Sequence, residues 1–253
     1  MSSRVFLIAN GETDWTDEGK HESVTERGLL PRGIERVGEL REASVGVGKL
    51  IDPRKILKIY CSPRERARRT VEILHLGVHS SQTFHERESD TQTVTPSLFA
   101  RELDGNMIEV TPALEEWKYG EYEGLTVRAV QEERHARGEE AWNIWRDGCP
   151  GGESPSDVTA RLDKLIDEIK AHIDDTVVKW PTGQRGTHRR DQPRDVVCVA
   201  HGHVLASLAL RWAGQPLENG MRLIVQPGGV VVLGYEHENL DEPAIILGRQ
   251  AGN

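Results

Sequence analysis

Cysteine is scarce. Cys61, Cys149 and Cys198 are widely separated and show no metal-ligand spacing. That excludes a disulfide-stapled scaffold and suits buried free thiols in a reducing compartment. Basic charge is also in deficit. The formal net charge is −9, which argues against nucleic acid as the main partner, because a phosphate backbone demands a basic face. A long apolar run is missing. Met1-Ser2-Ser3-Arg4 leads into a run of strand length only, too short for a signal peptide or a membrane span. A cytoplasmic setting with no membrane partner is expected. Internal repeats and low-complexity tracts are lacking too. What is present is a soluble, globular composition, 37% hydrophobic and 29% charged. A chain of this length buries a substantial core unaided, and one domain over 1–253 is expected.

The first clear element is Val5 to Ile8, an apolar run that reads as a buried strand. Ala9, Asn10, Gly11, Glu12, Thr13, Asp14 and Trp15 follow it, where an open α/β sheet places its ligand. Thr25 to about Glu42 reads as a helix, weakened by Gly28 and Gly33. A strand at Ile56–Cys61 runs into Ser62-Pro63-Arg64-Glu65, with Ser62 as N-cap, Pro63 at the first helical position and Glu65 completing a capping box. Ala67, Val71 and Leu74 line the apolar face of that helix, and its N-terminus with the Arg side chains makes an anion site. Residues 77–112 read as irregular, with one short strand. Leu114 to Gly124 interleaves aromatic residues, glycines and carboxylates, which suits a loop over a pocket. A helix over Ala129–Ala136 and a packing pair, Trp142 and Trp145, come next. Ser154, Pro155 and Asp157 start the clearest helix, which Val158, Leu162, Leu165, Ile166, Ile169 and Ile173 continue. Asp174 to Asp195 reads as a long loop. Val196–Ala200 is a strand that delivers His201-Gly202-His203 to a helix over Val204–Trp212. Arg222–Gln226, Val230–Glu236 and Ala244–Leu247 read as closing strands. The alternation of strands and helices gives an α/β three-layer sandwich with a mostly parallel sheet.

Several of these blocks resemble motifs of the histidine phosphatase superfamily, the phosphoglycerate mutase-like fold. The resemblance covers nearly the whole chain. It is weakest from Gly77 to Pro112 and from Asp174 to Asp195. Glu12, Thr13 and Trp15 fit the first motif, Ser62 to Thr70 the second, Leu114 to Gly124 the third and Ala200 to His203 the last. Trp142 to Cys149, with Gly152-Glu153, resembles a narrower branch of fungal sedoheptulose bisphosphatase-like proteins. The resemblance implies that Arg66 clamps phosphate, Glu116 donates a proton to the leaving oxygen and His201 contacts the phosphoryl group. It also implies an Arg-His pair at the start of the first motif. Here those positions hold Ala9 and Asn10. Thr16 stands where Asn is usual, and the joint from Gly19-Lys20-His21-Glu22-Ser23 to Val24-Thr25 is shorter than in the family.

An amide nitrogen has its lone pair delocalised and cannot form a phospho-enzyme. These departures lead the sequence reading to expect loss of phosphohistidine chemistry and of phosphatase or mutase activity. The leading expectation is a repurposed enzyme. Glu116 and His201 would act as an acid–base pair in dehydration, cyclisation, isomerisation or hydrolysis of a small oxygenated or anionic metabolite, in specialised-metabolite biosynthesis. Asn10, Glu12, Trp15, Arg66 and His203 would bind the substrate. The alternatives are a non-catalytic pseudophosphatase that binds a sugar phosphate or protein partner, an inactive variant of a sugar bisphosphatase, and a phosphatase using water activated by His201 or Glu116. No cofactor is expected. His21, His201 and His203 form no metal-ligand pattern, and His203 also reads as a capping or core residue. The sequence sets no oligomeric state.

Overall fold

Alternating side chains on the strands decide the layers. The computed structural model describes residues 3–76, 107–178, 194–218 and 221–248. Its sheet runs β1 (Val5–Ala9), β2 (Ile56–Cys61), β3 (Ile108–Val110), β4 (Asp195–Ala200), β5 (Val230–Tyr235) and β6 (Pro243–Ile246) in chain order. In space the order is β3-β2-β4-β1-β5-β6. β3, β2, β4 and β1 are parallel neighbours, while β5 and β6 add antiparallel partners at the far side. β1 and β4 are buried along their whole length, as expected of parallel strands covered on both faces. Val5, Leu7, Val196 and Cys198 pack with α6 (Pro155–Val178) and α7 (Gly202–Trp212). Phe6, Ile8, Val197 and Val199 face the opposite way and pack with α2 (Pro31–Ser44) and α3 (Glu65–Ile73). The expected α/β three-layer arrangement with a mostly parallel sheet is therefore present. Among the described residues the other α-helices are α1 (Asp14–Asp17), α4 (Val127–Ala136) and α5 (Ile144–Asp147).

Several boundaries differ from the sequence expectation, each for a physical reason. The helix expected from Thr25 starts at Pro31. Leu30 is extended, and its N–H donates to Glu12 O, which ties the preceding segment to the β1 loop. Gly33 is required by close approach: a Cβ there would lie 2.5 Å from Glu12 O. α3 begins at Glu65 with Arg64 as an uncapped N-cap, and Ser62 Oγ instead receives Arg64 N–H and faces His201. Arg222–Gln226 joins no strand, because the ladder positions beside β1 and β5 are filled by β5 and β6. α6 continues through Val178, into the stretch expected to be loop. The N-terminal box of α6 is as expected, with Ser154 N–H donating to Asp157 and Asp157 N–H to Ser154 Oγ. Most of the irregular stretches expected near 77–112 and 174–195 fall outside the described residues.

Candidate active site

Three parallel strands end side by side and hand over one residue each. Ala9 is in register with Ala200, and Cys61 with Val199. Asn10, Ser62 and His201 therefore meet beyond the carboxyl ends, the usual ligand position in an open α/β sheet. Backbone bonds fix them. Asn10 N–H donates to Ala200 O at 2.8 Å, and Ser62 N–H to Val199 O at 3.0 Å. Gly11 N–H donates to Thr70 Oγ1, which couples β1 to α3. α3 brings in Arg66.

The centre is a buried quartet. His201 Nε2 lies 2.8 Å from Ser62 Oγ. His201 Nδ1 lies 2.8 Å from Asn10 Oδ1 and receives Arg66 Nε–H at 3.1 Å. Asn10 Nδ2 donates to Gly11 O, which keeps its oxygen turned towards the ring. One ring nitrogen thus faces a permanent donor and an acceptor, and it can satisfy only one of them. Burial, followed by the positive charge of Arg66, holds the His201 imidazole well below its ordinary range. The ring is neutral at pH 7, so two arrangements satisfy it: Nδ1 accepts from Arg66 while Nε2–H donates to Ser62, or Nδ1–H donates to Asn10 Oδ1 while Nε2 accepts from Ser62 Oγ–H.

Three of the four other N–H groups of Arg66 are taken by the chain itself. Nη1 donates to Thr25 O, and Nη2 donates to both Glu22 O and Ser23 O. Glu22 Oε1 stands 3.2 Å from Nη1, with both side chains buried. Thr13 Oγ1 donates to Glu22 Oε2 in a short contact. Burial raises the Glu22 carboxyl above its ordinary range, against the pull of Arg66 and Thr13.

Glu116 sits at the start of α7. Its carboxylate accepts three backbone N–H groups, from Trp117, His203 and Val204, at 2.8–3.0 Å. The field at a helix N-terminus favours a carboxylate there. His203 Nδ1 is 2.7 Å from Tyr119 OH, and His21 packs against Tyr119 and Trp142. Burial pulls His21 down to about 4, with His203 as a second cause. His203 is also lowered by burial, while burial and then Glu116 raise the Tyr119 phenol.

The sequence model of the histidine phosphatase superfamily (branch 1) matches residues 5–92, 91–179 and 184–243. The chain belongs to that superfamily. Among its relatives, sedoheptulose 1,7-bisphosphatase of Saccharomyces cerevisiae is 28% identical, over 98% of this chain and 93% of that protein. An acid phosphatase of Mycobacterium tuberculosis is 30% identical, over 92% and 87%. The solved structure of an open reading frame from Mycobacterium tuberculosis aligns with a TM-score of 0.63 at 25% identity, covering 98% of this chain and 97% of that one. The alpha-ribazole phosphatase of Shigella flexneri, at 19% identity and TM-score 0.63 over 96% and 95%, shares the fold.

These relatives correct the functional expectation. Ala9, Asn10, Thr16 and the short joint point to loss of phosphatase activity and a repurposed lyase, isomerase or non-phosphatase hydrolase, whereas both named relatives are phosphatases over almost the full chain. Within this histidine phosphatase fold, the structure brings Asn10, Arg66 and His201 into contact, while Glu116 caps the helix that follows His201 and the His203 side chain is bonded to Tyr119. Glu12 and Trp15 are engaged elsewhere: Glu12 pairs with Arg32, and Trp15 lies under Arg27 and Lys20. Sequence reasoning missed Glu22 and the contact of Ser62 with His201. The short joint around Glu22 was the available signal, since fewer residues there draw the chain in over Arg66.

Proposed function

We propose that the chain hydrolyses a phosphate ester of a small molecule and that His201 is the nucleophile. The observation that carries this reading is a neutral imidazole at the ends of the parallel strands, bonded to Arg66, in a chain whose named relatives are phosphatases. Asn10 has no free lone pair on nitrogen, so its part is to accept the His201 Nδ1–H on Oδ1, which orients the ring and leaves the lone pair on Nε2. With Nδ1–H held by Asn10, Nε2 of His201 turns from Ser62 Oγ and attacks phosphorus as the bond to the leaving oxygen breaks. Arg66 and the α3 N-terminus offset the charge on the phosphoryl oxygens. Glu116, released from one of its three N–H donors, is the proposed proton relay: it takes the proton of the substrate's phosphate monoanion and passes it to the leaving oxygen. Water then cleaves the N–P bond. Sugar phosphates and bisphosphates are the first substrates to test, because one relative is named a sedoheptulose bisphosphatase. Three buried free thiols support a reducing, cytoplasmic setting.

The test is phosphate release from p-nitrophenyl phosphate and a panel of sugar phosphates, together with rapid-quench labelling by phosphate-labelled substrate. The wild type should turn over and carry an acid-labile label. His201→Gln should lose the label and at least about 1,000-fold in kcat. Retained turnover in His201→Gln would refute the nucleophile, and no hydrolysis of any ester would refute the phosphatase reading.

A further inference from the structure

Arg66 meets no phosphoryl group without first releasing its own chain. Its guanidinium is bonded to three carbonyls of Glu22, Ser23 and Thr25, and the Glu22 carboxylate stands beside it. A second observation marks the same segment. Among the described residues, four buried side-chain atoms have no hydrogen bond: His21 Nδ1, Arg64 Nε, Glu123 Oε2 and Glu22 Oε1, the last held only by its ion pair with Arg66 Nη1. All four belong to residues 21–25 or to side chains that hold them. Arg64 Nη1 donates to Val24 O. Glu123 Oε1 accepts the N–H groups of Ser23 and Thr25. Buried polar groups are normally paired, so unpaired groups gathered on one short segment mark a packing that is incompletely satisfied in this arrangement.

We infer that His21–Thr25 is a gate closed over Arg66, with the Glu22 carboxylate as a resident anion that a phosphoryl group must displace. This rests on the phosphatase reading for its purpose but not for its contacts. Each end of the segment is anchored where it meets its neighbours. His21 exchanges backbone bonds with Leu125 and Gly124, and Arg64 and Glu26 pair beyond Thr25. Between those anchors, among the described residues, Arg66, Arg64, Glu123, Thr13 and Glu116 O hold it by polar contacts. Opening returns the carbonyls and the Glu22 carboxylate to water and leaves four Arg66 N–H groups for three phosphoryl oxygens. A guanidinium suits that bidentate exchange of one anion for another.

Inorganic phosphate is the probe, titrated calorimetrically into the wild type, Glu22→Gln and Glu22→Ala. Removing the competing carboxylate should tighten phosphate binding by about tenfold in both variants, a typical coupling for a close charge pair. Thermal melts check folding, and Glu22→Gln keeps the side chain's size if the alanine variant melts early. In parallel, saturating phosphate should speed amide exchange at Ser23 and Thr25 in the wild type. Unchanged or weaker phosphate binding in both variants overturns the gate, even if the protein hydrolyses esters. Tighter phosphate binding with no ester hydrolysis in any variant keeps the gate and overturns the phosphatase reading.

Discussion

Three imidazoles near the site are buried and held neutral, and that has a cost in acid. His21 is drawn down to about 4 from an ordinary value of 6.5, mainly by burial. His201 and His203 shift in the same direction, also mainly by burial. For each, the folded value lies below the unfolded one, so the unfolded chain binds more protons between the two. Stability is complete above the unfolded value and falls as pH drops from about 6.5, by about 1.4 kcal/mol per pH unit per group. Glu22 acts in the opposite sense. Its folded value is raised, so it favours the folded state as pH falls through that value. It offsets part of the loss from the imidazoles. Urea unfolding between pH 7.5 and 5 should show a steep fall in stability. His21→Gln should flatten the slope by about 1.4 kcal/mol per pH unit below pH 6.5. Parallel slopes would mean that His21 titrates normally in the folded chain.

At the level of elements, the start of α7 is the most exacting joint. Helices begin with N–H groups that have no partner within the helix, and here a residue from a distant loop supplies the cap. Glu116 serves His203 and Val204 together with its own neighbour Trp117. Glu116→Ala leaves these donors buried and unpaired, and should cost about 2–4 kcal/mol. Glu116→Gln keeps an acceptor oxygen and should cost about half as much. Denaturant melts of the two variants give the comparison, and equal losses would show that packing, not capping, sets the cost. The same joint shows what the sequence could reveal. Val196–Ala200 as a buried strand followed by a helix was legible from apolar runs and periodicity, and β4 and α7 match it closely. The Ser154 box was equally legible, because its partners are three residues apart. The Glu116 cap was not, since the donors are 87 and 88 residues away. Neither was the late start of α2, which depends on Leu30 bonding to Glu12 across the β1 loop.

Across the whole molecule, the sheet fixes which residues meet, and the unread features are those that depend on filling space between layers. Arg66 and His201 could be expected at one place because each follows a strand of the same parallel set. Glu22 could not, because its position depends on how a short loop crosses from the β1 end to α2. The same layering makes a prediction about cooperativity. Cys61 and Cys198 lie in adjacent central strands with no exposed surface, and burial raises both thiols, Cys61 to about 12. Cys149 sits beyond α5, is 7% exposed, and is also pushed up to about 12. A thiol reacts as its thiolate, so none of the three should be alkylated rapidly in the native protein. Peripheral segments open at lower free energy than central strands. Cys149 should therefore react in urea well below the global transition, while Cys61 and Cys198 react together and only with it. Mass spectrometry of peptides after pulsed alkylation resolves the three sites. Labelling of Cys198 ahead of global unfolding would show that β2 and β4 separate locally, and the residues held at their ends would then lack the rigid base that the proposed chemistry requires.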